Sequence, residues 1–312
     1  MRYKAMKHIP LISVLALSLL VFAGCSRADD SPDHQEEAPA LLSVGMMSAV
    51  DAAPFYYAKQ EGYFTDEGLE VELIMFTNAQ NRQTALQTGA VDGAMTDLVA
   101  LITQAAGDFS LTGTLSTDGV FPLLSSVSLF EKDRIRAGTM EISVTNYILE
   151  EYLFQSHHIE KIFINEIPAR LEAVLSGQLD AGIFPEPFAT IGELRGLDKI
   201  TFPDIPRESL NLIAFTDEAI DRKGASISFF TRAYRRAVED LQQQPDRARD
   251  ILLEVIPNLP EEARDLIMLP EYQLPRLPSD AFINEIIQWT SSVTGMQYSI
   301  APDDILDRSF VR

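Results

Sequence analysis

An eight-residue pattern recurs in this chain. Ala85-Leu-Gln-Thr-Gly89-Ala-Val-Asp92 returns 88 positions later as Ala173-Val-Leu-Ser-Gly177-Gln-Leu-Asp180. Ala, Gly and Asp recur, and Thr is replaced by the other small hydroxyl residue. In each copy a helical run ends on Gly, which turns left-handed at a helix end without a Cβ clash. A short strand carrying the Asp follows. A strand-like run precedes each copy, Val71 to Phe76 in the first and Lys161 to Ile164 in the second. Strand, helix, strand is the building block of a parallel sheet. Two such units predict two similar α/β lobes.

The local punctuation agrees. Leu42 to Met47 reads as a buried strand. Pro54, suited to a first helical turn, opens a helix through Gln60, and Gly62 stops it. Leu69 to Phe76 is the next strand. Asn78 caps a helix that runs to Gln87, and Val91 to Met95 is a third strand. Thr96 or Asp97 caps the helix Leu98 to Ala106, with Gly107 at its end. This alternation predicts a mostly parallel sheet with helices on both faces.

The only cysteine, Cys25, follows a basic start (Met1 to His8), an apolar run from Ile9 to Ala23, and Gly24. A run of about 15 residues is short of the roughly 20 that span a bilayer, and the pattern is that of a secretion leader. Ala23-Gly24-Cys25 resembles the bacterial lipobox, with Phe22 where Leu is usual. The resemblance implies cleavage before Cys25 and acylation of its thiol. Residues 1–24 would thus be a signal peptide, and the protein would sit lipid-anchored on the outer face of a cell membrane. Residues 25–40 hold five acids, two prolines and no apolar periodicity, which suits a solvated tether.

Charge narrows the partners. The net charge is −21, and it falls to −24 once Arg2, Lys4 and Lys7 leave with the leader. Nucleic acid and anionic lipid surfaces are poor partners for such a chain. A lone cysteine permits no internal disulfide. The histidines (His8, His34, His157, His158) show no metal-ligand spacing, and there is no phosphate loop or nucleophile elbow. No metal, cofactor or turnover is expected, and a monomer is.

Longer segments carry a family resemblance. They are Pro54-Phe-Tyr-Tyr-Ala58, Glu61-Gly-Tyr-Phe64, Glu67-Gly-Leu-Glu-Val71, and the run from Arg170 to Phe188 that includes Pro185-Glu186-Pro187. Together with Ala85 to Asp92 they resemble the thiamine-precursor, sulfonate and nitrate binding proteins of ABC importers, over roughly Leu42 to Phe215. The resemblance implies a type II periplasmic binding protein: α/β, two doubly wound parallel-sheet lobes joined by two crossover segments. Lobe one would be 41–116 plus 212–312. Residues 117–211 would hold the crossovers, near 117–124 and 206–214, and lobe two. The final helices would brace lobe one, with Trp289 in an apolar stripe beside Phe282 and Ile286. The implied partners are a small-molecule ligand and an ABC permease. A sensory lipoprotein, or an enzyme on the same fold, is the alternative.

Ligands of open α/β sheets bind beyond the carboxyl ends of the strands. The candidates there are Ser48 and Asp51 after the first strand, Asn78 after the second, and Thr96 and Asp97 after the third. Ser116 and Asp118 lie at the crossover, Thr139, Glu141 and Ser143 at a strand-to-helix turn of lobe two, and Glu186 between its prolines. Asn78, Thr96, Asp97, Thr139 and Ser143 read equally well as helix caps. Phe55, Tyr56, Phe121 and Phe188 read as packing before stacking. Asp51 and Glu186 would approach one ligand from opposite lobes. So many carboxylates favour a neutral or cationic nitrogen heterocycle over nitrate or a sulfonate. Of the nearest cations, Arg82, Arg134 and Arg136, the first, at a helix start, would reverse that balance.

Overall fold

The computed structural model describes residues 41–107, 109–128, 131–153, 158–202 and 207–312. All belong to one compact unit. The leader, Cys25 and the acidic stretch lie outside the described residues.

Two five-stranded sheets carry the fold. The first holds β1 (Leu42–Met47), β2 (Val71–Phe76), β3 (Gly93–Asp97), β4 (Leu111–Thr117) and β10 (Asn211–Thr216), in the order β2-β1-β3-β10-β4. The second holds β5 (Leu123–Ser125), β6 (Arg134–Thr139), β7 (His158–Phe163), β8 (Ala181–Ile183) and β9 (Asp198–Ile200), in the order β7-β6-β8-β5-β9. Each sheet is mostly parallel, as expected, with one reversed strand. β10 runs antiparallel to β3 and β4, and β5 runs antiparallel to β8 and β9. The cause is the crossovers. Each leaves one sheet at the carboxyl ends of its strands and enters the other at the same edge, so the entering strand must run away from that edge. The second crossover ends earlier than expected, because β10 starts at Asn211.

The helices follow their caps. They are α1 (Ala53–Gln60), α2 (Tyr63–Asp66), α3 (Ala79–Gln87), α4 (Leu98–Ala105), α5 (Val144–Leu153), α6 (Ile167–Leu175), α7 (Phe188–Leu194), α8 (Asp217–Gln243), α9 (Asp246–Val255), α10 (Asp280–Thr294) and α11 (Pro302–Ile305). Pro54 lies in the first turn of α1. The Asn78 side chain accepts from Asn81 N at 2.8 Å, and that of Asp97 from Ala100 N at 2.9 Å. Gly89 and Gly177 both take positive φ, 69° and 73°. Gly62 does so too, but the chain re-enters a helix at once as α2. β3 starts two residues later than expected, at Gly93. A Cβ there would come within 2.3 Å of the Phe215 ring, so only glycine lets β3 pair closely with β10.

Phe55 belongs to the core of the first lobe. It is fully buried, with ring centroids 5.1 Å from Phe230 and 4.9 Å from Tyr234. Trp289 packs against the same core as Phe282 and Ile286, as its stripe predicts, and does more. It is half-buried and reaches across to the second lobe, donating to Glu150 of α5 at 2.5 Å and meeting Tyr147 edge-on at 5.6 Å. α10 therefore packs on both lobes.

Candidate functional site

A cavity lies where the carboxyl ends of both sheets face each other. The first lobe contributes Met47 at the end of β1 and Ala49 after it, Ala79 and Arg82 from α3, and Met95, Thr96 and Asp97 from β3. Asn211 adds the start of β10. The second lobe contributes Met140 after β6, Ser143, Val144 and Thr145 at the start of α5, Ile167 and Arg170 from α6, and Pro185 after β8. Phe121 of the first crossover closes one side. The walls are thus mostly thioether, aliphatic and aromatic, with a few polar groups set into them. That composition suits a small molecule with an apolar body and polar ends.

Some sequence candidates reach this cavity. Thr96 is buried there, and its hydroxyl makes no hydrogen bond. Asp97 lines the cavity while capping α4. Burial pushes its carboxyl above the ordinary range, against the amides of Ala100 and Val99 and the nearby Arg82 charge. Ser143 lines the cavity too, with its hydroxyl 2.9 Å from that of Thr145. Thr139 stands behind it, bonded to the same Thr145 hydroxyl at 2.9 Å.

Other candidates serve the scaffold. Glu186, expected to face the ligand, is 0% exposed. Its carboxylate accepts from Thr190 N at 3.1 Å, the Thr190 hydroxyl at 2.7 Å and the Lys199 ammonium at 3.1 Å. Asp118 is equally committed, taking Gln273 N at 2.8 Å and the Arg276 guanidinium. It borders a separate cavity at the crossovers. Glu141 is exposed, and its backbone carbonyl accepts from the Asn146 amide at 2.7 Å. Asn78 caps α3 and borders a neighbouring pocket. The hydroxyls of Ser48 and Ser116 are buried without partners but lie outside the cavity lining. Phe188 is half-buried against the second lobe's core, and Tyr56 packs on the first.

Asp51 is one layer back. Its Oδ2 accepts from the Thr117 hydroxyl at 2.8 Å and from the Asn211 amide at 2.9 Å, so it orients a cavity residue. Oδ1 has no partner, and burial holds the carboxyl above its ordinary range despite those two bonds.

The two cavity arginines are the strongest feature. Arg82 is 5% exposed and forms no side-chain hydrogen bond or ion pair among the described residues; its Nε is buried and unpartnered. Arg170 is 0% exposed. Its Nη1 donates to the Ile164 carbonyl at 2.6 Å and its guanidinium lies 5.2 Å from the Phe184 ring centroid, but Nε and Nη2 have no partner among the described residues. Burial lowers both, Arg170 to about 10, with Asp97 opposing the shift at Arg82. Arg134 and Arg136 are not part of this site: they pair with Glu160 and Asp180. Sequence reading missed Arg170. The signal was available, because the internal repeat extends three residues further back than the matched octapeptide. Arg82 and Arg170 are the fourth residues of α3 and α6, again 88 positions apart.

Known proteins resemble the chain over nearly its whole length. A formylaminopyrimidine-binding protein of Halalkalibacterium halodurans is 24% identical over 327 residues, covering 96% of this chain and 98% of that one. The fold matches a ligand-binding component of an ABC-type import system from Staphylococcus aureus, with TM-score 0.74, 16% identity, and 87% and 97% of the two chains covered. It also matches the alkanesulfonate-binding protein SsuA of Xanthomonas axonopodis pv. citri, with TM-score 0.65, 17% identity, and 88% and 96% covered. The model of the NMT1-like family matches residues 35–256, well over half of the sequence, and the chain belongs to that family.

Proposed function

We propose that this chain is the extracytoplasmic solute-binding subunit of an ABC importer, and that its ligand is a small nitrogen heterocycle of the thiamine-precursor type. The observation that carries this reading is the cavity between the lobes. Both sheets aim their strand ends and the starts of their helices at it, and its Met, Val, Ile and Phe walls suit a flat ring. The formylaminopyrimidine-binding relative supports the ligand class. The work done is capture by lobe closure without turnover. The captured solute passes to a membrane permease.

Anchoring at Cys25 completes the proposal, because a tethered binder stays near its permease. Cys25→Ser should release the protein into the soluble fraction or leave the precursor uncut. Unchanged membrane association would sink the anchor and leave the binding role standing. The binding role is tested by mass spectrometry of ligand retained after mild purification, followed by calorimetry with that compound. Steady chemical conversion of the bound compound would overturn it.

A second reading, an anion binder like the sulfonate proteins, is favoured by one observation: the cavity's two buried guanidinium groups.

A further inference from the structure

We infer that the heterocycle bound in this cavity carries an oxyanion substituent, of the carboxylate, sulfonate or phosphate-ester class, and that Arg82 and Arg170 select it, one from each lobe. The inference rests on the solute-binding reading above.

Two guanidinium groups are buried in the walls of one cavity. Each keeps at least one N–H without a partner. Leaving a buried donor unpaired is costly, and leaving a buried cation without a counter-charge more so. Among the described residues, Asp97 is the only carboxylate lining the cavity, and one of its oxygens already caps α4. One acid therefore faces two cations. Their position adds to the cost. Each arginine sits in the opening turns of its helix, where the macrodipole favours negative charge and disfavours a cation. An oxyanion relieves all three penalties together. It accepts the free N–H groups, supplies the missing charge, and sits near the positive ends of α3 and α6. The guanidinium fork is the side chain best matched to two-oxygen acceptors.

The internal repeat strengthens the argument. The same helix position carries arginine in both lobes, although no structural bond of the scaffold holds Arg82 there. The remaining wall is mostly apolar, so the ligand's body stays a ring or chain while its oxyanion end is held by the arginines.

The test is calorimetry on the mature, full-length chain with three probes: a neutral aminopyrimidine, its phosphate monoester and a simple alkanesulfonate. At least one oxyanion probe should bind ten- to a hundredfold tighter than the neutral parent, the scale of a hydrogen bond to a charged group. Arg82→Gln and Arg170→Gln should each erase most of that preference and change binding of the neutral parent less than about threefold. The ligand-free melting temperature of Arg82→Gln should stay level or rise, because an unpaired buried cation has been removed; that of Arg170→Gln should fall modestly, because the Ile164 and Phe184 contacts go with it. A fall in both melting temperature and neutral binding would mark the arginines as structural and overturn the inference. If a Gln variant does not fold, the Met variant, which fills the space without charge or N–H donors, should show the same loss of preference. Failure of every oxyanion probe to outbind the neutral parent also overturns it. Arginine-dependent binding of the alkanesulfonate alone would instead remove the heterocycle reading and leave the oxyanion inference intact.

Discussion

Asp92 and Asp180 make the same connection in different lobes. Asp92 Oδ2 accepts from Ser43 N at 2.8 Å, and Asp92 N donates to the Ser43 carbonyl at 2.8 Å. Asp180 Oδ2 accepts from Arg136 N at 2.8 Å, and Asp180 N donates to the Arg136 carbonyl at 2.9 Å. Each ties the entry of one strand, β3 or β8, to its parallel neighbour, β1 or β6. Each also holds a lysine, Lys223 at 2.8 Å or Lys132 at 2.7 Å. The repeated aspartate is a fastener at the edge of the sheet remote from the cavity.

That placement separates stability from binding. Asp180→Ala should lower unfolding free energy by about 2–3 kcal/mol, because a charged acceptor is lost and a backbone N–H is stranded. Ligand affinity should hold. The pH dependence has a definite sign. Burial works to raise the Asp180 carboxyl, but Lys132 and Arg136 outweigh it and hold it below the ordinary range. A lowered carboxyl contributes stability above its unfolded value of about 4 and loses it as pH falls through the lower folded value. Urea melts from pH 6 down to pH 3 should therefore bring Asp180→Ala and the parent together. A gap that stays constant with pH would refute the assignment.

Glu186→Gln should act on the fold first. Its carboxylate meets Lys199, whose side chain is also nearly buried. Thr190 and Lys199 then both donate to the Leu266 carbonyl, at 3.2 and 3.0 Å, joining the second lobe to the C-terminal segment. Removing one charge of a buried pair costs roughly 3–5 kcal/mol. Burial already raises the Glu186 carboxyl and Lys199 keeps Glu193 at 2.6 Å, so a smaller loss of about 1–2 kcal/mol is expected. Chemical denaturation measures this directly. A variant as stable as the parent that binds ligand tenfold more weakly would return Glu186 to the ligand site.

Much of the chain was legible because local rules decide it. Asn78, Asp97, Pro54, Gly89 and Gly177 act through the backbone within a few residues, and each does what its chemistry predicts. The cavity's position was legible too, since strand carboxyl ends follow from the order of strand and helix. The cleft charges were not. Asp118 and Glu186 are placed near the cleft by sequence, yet their partners Arg276, Thr190, Lys199 and the Gln273 amide are set by tertiary packing. A carboxylate near a cleft on the chain is not a carboxylate facing it. The antiparallel β5 and β10 were hidden for a related reason: strand direction depends on which sheet edge a crossover reaches, and composition carries no trace of that.

Asp51 offers a pH test of the opposite sign. Burial raises its carboxyl, so the ionised form is the unfavourable one in the folded protein, even with Asn211 and Thr117 bonded to it. Its contribution is most favourable below pH about 4 and is lost as pH rises toward the raised value. Asp51→Asn keeps an acceptor for Asn211 and cannot ionise. Its melting temperature should gain on the parent's as pH goes from 4 to 7. A difference that does not move with pH would mean Asp51 is charged and satisfied by groups other than Asn211 and Thr117.

Trp289 is the chain's single tryptophan, so its emission has one source. Its indole donates to Glu150 in the second lobe while α10 packs on α4 in the first. Tyr147 and Glu285 bridge the same seam at 2.7 Å. Opening the lobes would break both bonds and expose the indole to water. Ligand binding that closes them should shift the emission to shorter wavelength, with a titration curve that matches calorimetry. Glu150→Gln should weaken the seam without touching the cavity, lowering apparent affinity several-fold through the closed-state population alone. Trp289→Phe should abolish the optical signal and keep binding. Saturable calorimetric binding with unchanged emission would mean that the seam does not move, and that the ligand enters a cavity already closed.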